Sequence, residues 1–379
     1  MKIITDIRLL AKGGVSGIEE YTRSMLTEML KNAEDEFVLF YSGFLKKNLP
    51  SDWLSNSAVS IFDGRIPNKM LDLAVRISGF PKIESLVAGD VVWSPHFNLI
   101  KTKLKRVITF HDLSFLHHPD FFGRKQSLWH WFQNVAEQAK EASSIIAVSE
   151  FTKSDLMHFF GISEEKIHIV YSGIDASFQV LPEGDPRLLG TRAKYKLEKQ
   201  FILSLGTIEP RKNLIALIDA FSLLRSRGKL QNTELVLAGA RGWLAEETFR
   251  AARRSPFARD IRFLGRIEPG DRPALYNLAS VFAYPSFFEG FGFPPLEAQA
   301  CGVPVIASNR TSLPEILSDS AQLIDPWATE DLAAALYLCD TSEEHRQTLI
   351  RRGLDNARRF SWNKTAQETR LILRSAAGV

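Results

Sequence analysis

The sequence predicts an α/β chain folded as two doubly wound parallel-sheet domains. Three observations carry that prediction. Short apolar runs alternate with helical stretches almost throughout, which is the pattern of parallel βαβ units. Two such series are separated by a segment rich in proline, glycine and charge. The 379 residues also suit about two domains, at roughly 100–200 residues each.

The elements follow in order. Ile3–Leu10 reads as the first strand, then a glycine-bearing loop leads into a helix over Ile18–Lys31. Phe37–Tyr41, Val91–Trp93, Val107–Phe110 and Ile145–Val148 are short apolar runs bounded by polar or turn residues, hence strands. Leu128–Ala142 and Ser149–Phe160 are the helices between them, Ser149 being suited to cap the second. The later strands are Phe201–Leu205, Glu234–Ala238, Ile261–Leu264, Val281–Tyr284 and Val303–Ala307, with helices at Leu214–Arg225 and Asp271–Ala279. Between the series, Leu181–Lys199 holds Pro182, Gly184, Pro186 and Gly190, a composition for a linker. The expected division is a first domain over 1–182, a linker over 183–198 and a second domain over 199–360. Ligands of such sheets bind at the carboxyl ends of strands, here in the cleft where the two domains face each other.

Composition excludes several classes. With 45% hydrophobic and 24% charged residues, the chain is neither disordered nor collagen-like. A net charge of +3 is too small to indicate nucleic acid. Cys301 and Cys339 alone make no disulfide framework and no four-cysteine metal site. No run of about 18 apolar residues occurs, so no transmembrane helix is expected. The N-terminus reads as a strand, without the apolar stretch of a signal peptide. A cytoplasmic protein is expected, with peripheral contact at the inner face of the cell membrane left open.

The most informative stretch runs from Ser286 to Ala298. Gly290 and Gly292 permit a backbone path closed to other residues. Pro294 and Pro295 then suit a helix start. A glycine loop opening a helix presents N–H groups to an anion. Glu289 falls in the loop and Glu297 in the expected first turn, so two carboxylates could face one extended ligand. The helix dipole alone also favours an acid at a first turn.

Glu289 and Glu297 match the E-x7-E motif, and EGFGFPPLEAQACGVPVIAS resembles the signature of family 4 of the retaining glycosyltransferases with the GT-B fold. The likeness covers essentially the whole chain and is similar in particular to bacterial mannosyltransferases of O-antigen and other surface polysaccharides. It implies that Glu289 contacts hydroxyls of a donor sugar and Glu297 the nucleotide ribose. Backbone groups of Gly290, Phe291 and Gly292 are implied to contact sugar or phosphate. It further implies that Gly265 and Arg266 border the base, and that a last helix over 361–376 packs back on the first domain.

Other residues join this reading. Arg211 and Lys212, in Gly206-Thr-Ile-Glu-Pro-Arg-Lys-Asn213, follow a strand and suit a diphosphate. The same segment resembles the family's basic pair. The loop Lys12-Gly13-Gly14-Val15-Ser16-Gly17 lacks the P-loop ending. It leaves open whether Gly13-Gly14 or Gly17 makes the close approach to donor. His111 ends a strand and resembles the family's cleft histidine near the donor sugar. His117 and His118 lack the spaced partners of a zinc site. No D-x-D occurs, so no metal and no other cofactor is expected.

The expected activity is transfer of a hexose, mannose from GDP-mannose, to a hydroxyl of a lipid-linked or growing surface glycan, with retention. Another nucleotide-hexose donor, a GT-B-like nucleotide-sugar epimerase and a non-catalytic glycan-binding scaffold stay open. The partners are then a nucleotide sugar and a glycan acceptor, not nucleic acid. Two features bear on a membrane: the basic run Lys101, Lys103, Lys105 and Arg106, and the cluster Trp129-His130-Trp131-Phe132.

Overall fold

A computed structural model describes residues 1–12, 17–31, 34–43 and 49–379. The chain divides into two compact units, one of Met1–His117, Arg124–Gly173 and Ser361–Val379, the other of His118–Gly123 and Ile174–Phe360.

Among the described residues, the first unit is built on seven parallel strands in the order β3-β2-β1-β4-β5-β6-β7. They are β1 Lys2–Asp6, β2 Glu36–Tyr41, β3 Val59–Asp63, β4 Val91–Ser94, β5 Lys105–Phe110, β6 Ser144–Ala147 and β7 Ile167–Ile169. Ile3, Ile4, Val92, Trp93, Ile108 and Phe110 of the central strands are fully buried, as a parallel sheet covered on both faces requires. Each large side chain so buried contributes about 1.5–3 kcal/mol. Ile108 and Phe110 pack with Val135, Ala139 and Leu156. Helix Trp362–Ala377 belongs to this unit. Its Thr365 hydroxyl donates to the Tyr171 carbonyl at 2.8 Å, and Arg370 donates to that of Met29 at 3.0 Å.

The second unit has six parallel strands in the order β10-β9-β8-β11-β12-β13. These are β8 Gln200–Leu205, β9 Thr233–Ala238, β10 Ile261–Gly265, β11 Val281–Tyr284, β12 Val305–Ser308 and β13 Gln322–Ile324. In both sheets the strand order reverses beside the first strand, between β1 and β4 and between β8 and β11. That reversal opens a crevice at the carboxyl ends, where ligands of such sheets bind.

The structure corrects several expectations. The first strand stops at Asp6 and a 3-10 turn spans Arg8–Lys12, because Arg8 folds back to hold Asp6 through two bonds of 2.9 Å. The single helix expected over 128–142 is two, Arg124–Gln133 and Val135–Glu141, parted by Asn134 at φ 50° and ψ 52°. Asparagine tolerates that left-handed geometry. The segment expected as a linker contains helix Pro186–Tyr195, which Asp185 caps by accepting from the Arg187 N–H at 2.9 Å. Three strands went unforeseen, β3, β7 and β13, and all are sheet edges.

Candidate active site

In the second unit, the chain leaves β8 through Gly206–Glu209 into a 3-10 turn over Pro210–Lys212. It leaves β11 through Pro285–Gly292 into helix Phe293–Ala300. These two loops flank the reversal, and a backbone hydrogen bond ties them, from the Phe287 N–H to the Arg211 carbonyl at 2.9 Å. Gly292 sits at φ 107°, and a Cβ there would lie 2.7 Å from Leu313 Cδ2. Only glycine fits both limits. Gly239, at the end of β9, is as constrained, since a Cβ would meet the Gly206 oxygen at 1.8 Å.

The structure brings Arg211, Lys212 and Glu289 together. Glu289 is 6% exposed. One of its oxygens accepts from Arg211 Nη1 at 2.9 Å and the other from Lys212 Nζ at 2.7 Å. Arg211 also donates to the Phe288 carbonyl at 2.8 Å and, from Nε, to Glu209 at 2.9 Å. Lys212 Nζ donates to the Tyr284 hydroxyl and lies 4.7 Å from that ring's centroid. Burial pushes the Glu289 pKa up, but the Arg211 and Lys212 charges outweigh it and bring the value down to about 2. Burial, together with neighbouring Arg211, lowers that of Lys212. Burial raises Tyr284 well above the phenol range, helped by Glu289. Glu289 is thus an anion at any ordinary pH, an acceptor of hydrogen bonds and not an acid.

Glu297 is held separately. It lies in the second turn of its helix, not the first as expected, because the helix already begins at Phe293. The dipole therefore does not explain it, since that effect fades beyond the first turn. The Tyr276 hydroxyl donates to Glu297 at 2.7 Å, and Arg272 Nη2 pairs with its other oxygen. Phe291 is buried, its ring against those of Phe293 and Phe360, and Gly290 is buried too. Gly265 and Arg266 are exposed at the end of edge strand β10, where the Gly265 carbonyl accepts from the Gly239 N–H at 2.8 Å.

Two predicted residues stand in the first unit. His111 follows β5, and its Nε2 lies 2.8 Å from the Pro95 carbonyl oxygen. A carbonyl only accepts, so Nε2 carries the proton. Burial lowers the His111 pKa, and the ring meets Tyr21 edge-on at 4.7 Å. Gly17 opens helix Gly17–Lys31 and is exposed. Gly14 lies outside the described residues.

Sequence reasoning missed Glu209, Tyr284, Arg272 and Tyr276. Glu209 and Arg211 sit in one loop, so their pairing had a local signal. Arg272 and Tyr276 are four apart on one helix, hence on one face, but nothing local linked that face to Glu297. Among the described residues, no group of three or more His, Cys, Asp or Glu is placed to hold a metal ion. Among them, too, no helix is long and apolar enough to cross a membrane.

Comparison with known proteins agrees with this architecture. Residues 15–178 match the family model Glycosyltransferase Family 4, and residues 191–355 match Glycosyl transferases group 1. O-antigen chain mannosyltransferase B of Escherichia coli is 34% identical over 97% of this chain and 98% of its own. Among solved structures, sucrose-phosphate synthase from Thermosynechococcus elongatus superposes with a TM-score of 0.77 at 16% identity, covering 99% of this chain and 98% of that one. Anabaena HepE in complex with UDP and glucose gives 0.75 at 18% identity, covering 99% and 100%. The chain therefore belongs to the group 1/family 4 glycosyltransferases of the GT-B fold.

Proposed function

We propose that this glycosyltransferase transfers mannose from GDP-mannose to a hydroxyl of a lipid-linked or growing O-antigen-type glycan, with retention of configuration and without a metal. The observation that carries the reading is the Arg211–Glu289–Lys212 cluster at the reversal between β8 and β11. The mannose assignment leans on the 34% identical Escherichia coli relative, whose name states that activity.

In this mechanism the bond between the sugar C1 and the β-phosphate oxygen breaks, and a bond from C1 to the acceptor oxygen forms on the same face. The acceptor proton passes to the departing phosphate. Negative charge grows on that phosphate, and Lys212 and Arg211 oppose it as cations fixed before the reaction, which is worth several kcal/mol. Glu289, ionised, accepts from donor-sugar hydroxyls and cannot protonate the leaving group. Glu297, gripped by Arg272 and Tyr276, accepts from the ribose. With Arg211 and Lys212 at the diphosphate, no divalent ion is required to neutralise it.

The test is transfer from a panel of nucleotide sugars to a mannosylated acceptor, with the anomeric configuration read by NMR and EDTA present throughout. GDP-mannose should be the preferred donor, and the product α-linked. Glu289→Gln and Lys212→Ala should each lower kcat by roughly 10²–10³-fold. Unchanged turnover in either variant, loss of activity in EDTA or inversion would each sink part of the assignment. Conversion of donor without acceptor would point instead to an epimerase.

A further inference from the structure

We propose that the open side of Trp327, in the second unit, is a subsite for the glycan acceptor chain, beyond the sugar that reacts. Trp327 follows β13 and is 68% exposed. A tryptophan held this far out of the core is typical of a binding surface. The ring is not loose. Its centroid lies 4.2 Å from that of Phe287, at an interplanar angle of 32°. Phe287 lies in turn 5.8 Å from Phe121 at 29°, and all three residues belong to the second unit. The indole is therefore backed by rings on one side and open on the other. The loop that carries it is fixed as well. The Trp327 N–H donates to Asp325 at 3.0 Å, and Asn213 Nδ2 donates to the Pro326 carbonyl at 2.7 Å. Asn213 directly follows Lys212, and Phe287 stands two residues before Glu289. The neighbouring loop after β12 is joined to that glutamate too. Thr311 Oγ1 accepts from the Glu289 N–H at 3.0 Å, and Ser312 Oγ donates to the Glu289 carbonyl at 2.9 Å. The surface around Trp327 is thus continuous with the loop that presents Glu289.

The chemistry selects the occupant. The Arg310 guanidinium meets the Asp325 carboxylate at 3.0 Å, and their side chains are 48% and 37% exposed. The pair carries no net charge and offers N–H donors beside carboxylate acceptors. A sugar matches both features. Its hydroxyls donate and accept, and its face of C–H bonds rests on the negative face of an aromatic ring. A nucleotide base also stacks, but the donor base is expected beside Gly265 and Arg266, at the end of β10. Strands β10 and β13 are opposite edges of the sheet. Neighbouring strands lie about 4.8 Å apart, so β13 is roughly 10 Å from β11 across β12. A chain of sugars spans that separation, and the single sugar held by Glu289 does not.

This subsite rests on the reading of the acceptor as a glycan, and two measurements separate the two ideas. One is transfer to α-linked mannose oligosaccharides of one to four residues. The other is calorimetric titration of the full chain with the tetrasaccharide alone. In the wild type, kcat/KM should rise with acceptor length. Trp327→Ala should cut the advantage of the tetrasaccharide over the monosaccharide about tenfold, through acceptor KM, and weaken tetrasaccharide binding by a similar factor. Trp327→Phe keeps a ring and should restore most of both. Donor KM and the melting temperature should not move, since the indole is exposed and stands apart from the donor cluster. Transfer by the wild type with no gain from length, or a gain that Trp327→Ala retains, would overturn the subsite and leave the reaction standing. No transfer to any oligosaccharide, with tetrasaccharide binding that Trp327→Ala still weakens, would keep the subsite and sink the reaction. A raised donor KM in Trp327→Ala would give the ring to the nucleotide, and self-association that the variant abolishes would give it to a second copy. Either result would overturn the proposal.

Discussion

Each unit sets an arginine between two carboxylates just beyond the first strand of its sheet, yet the two clusters serve different ends. Beyond β1, Arg8 is 2% exposed. It spends its donors on Asp6, on Asp72 of helix Asn68–Ser78 and on the Leu99 carbonyl, at 2.9–3.1 Å. Three separate segments are thereby pinned together. Beyond β8, the Arg211 side chain is 19% exposed and has Lys212 beside it, so two cations face Glu209 and Glu289. The comparison teaches that buried charge near the reversal of a sheet is not in itself a site. Reach toward solvent and a second cation separate the chemical cluster from the structural one.

The largest expected effect tests that separation. Arg8→Ala leaves Asp6 and Asp72 buried without their cation, a loss that costs about 3–5 kcal/mol. Urea unfolding should show it, while kcat of the folded fraction stays near wild type. Loss of transfer in Arg8→Ala at unchanged stability would make the first cluster a site after all and break the comparison.

The second effect is one of pH. The folded Glu289 pKa of about 2 lies below its ordinary 4.5. A carboxylate depressed in this way stabilises the fold fully above its unfolded value, and the contribution is lost as pH falls through the folded one. Arg211 and Lys212 are the cause, so the wild type should be more stable than Glu289→Gln near neutrality. The gap should close between about pH 4.5 and pH 2. Melting temperatures across that window check it, and a constant gap would mean that the carboxylate does not titrate there.

What the sequence disclosed follows from how locally each feature is encoded. Residues 206–213 and 286–297 are contiguous, and each carries its own glycines and charges, so Arg211, Lys212, Glu289 and Glu297 were legible at once. The central strands were legible too, because burial on both faces makes them uninterrupted apolar runs. Edge strands lack that pressure. In β3, Ser60, Ile61 and Asp63 are exposed, and β7 and β13 have three residues each. Partners far apart in the chain left no trace. Asp72 lies 64 residues from Arg8, and Arg272 lies 25 from Glu297.

The smallest effect concerns His111 after β5 of the first sheet, a buried ring whose charge the fold disfavours, where Glu289 of the second unit is held ionised. Burial holds the His111 pKa below its ordinary 6.5, and the ring sits among Tyr21, His96 and the Pro95 carbonyl. The unfolded chain therefore binds this proton more readily than the fold does. The contribution is fully present above about pH 6.5 and declines below it. His111→Gln retains a terminal N–H for the Pro95 carbonyl but cannot be protonated. Between about pH 7.5 and pH 5.5, the wild-type melting temperature should fall further than that of the variant. Equal slopes would show that His111 does not titrate in that range. A steeper slope in His111→Gln would mean that the fold favours the charged ring, and the contrast between a ring the fold keeps neutral and a carboxylate it keeps ionised would no longer hold.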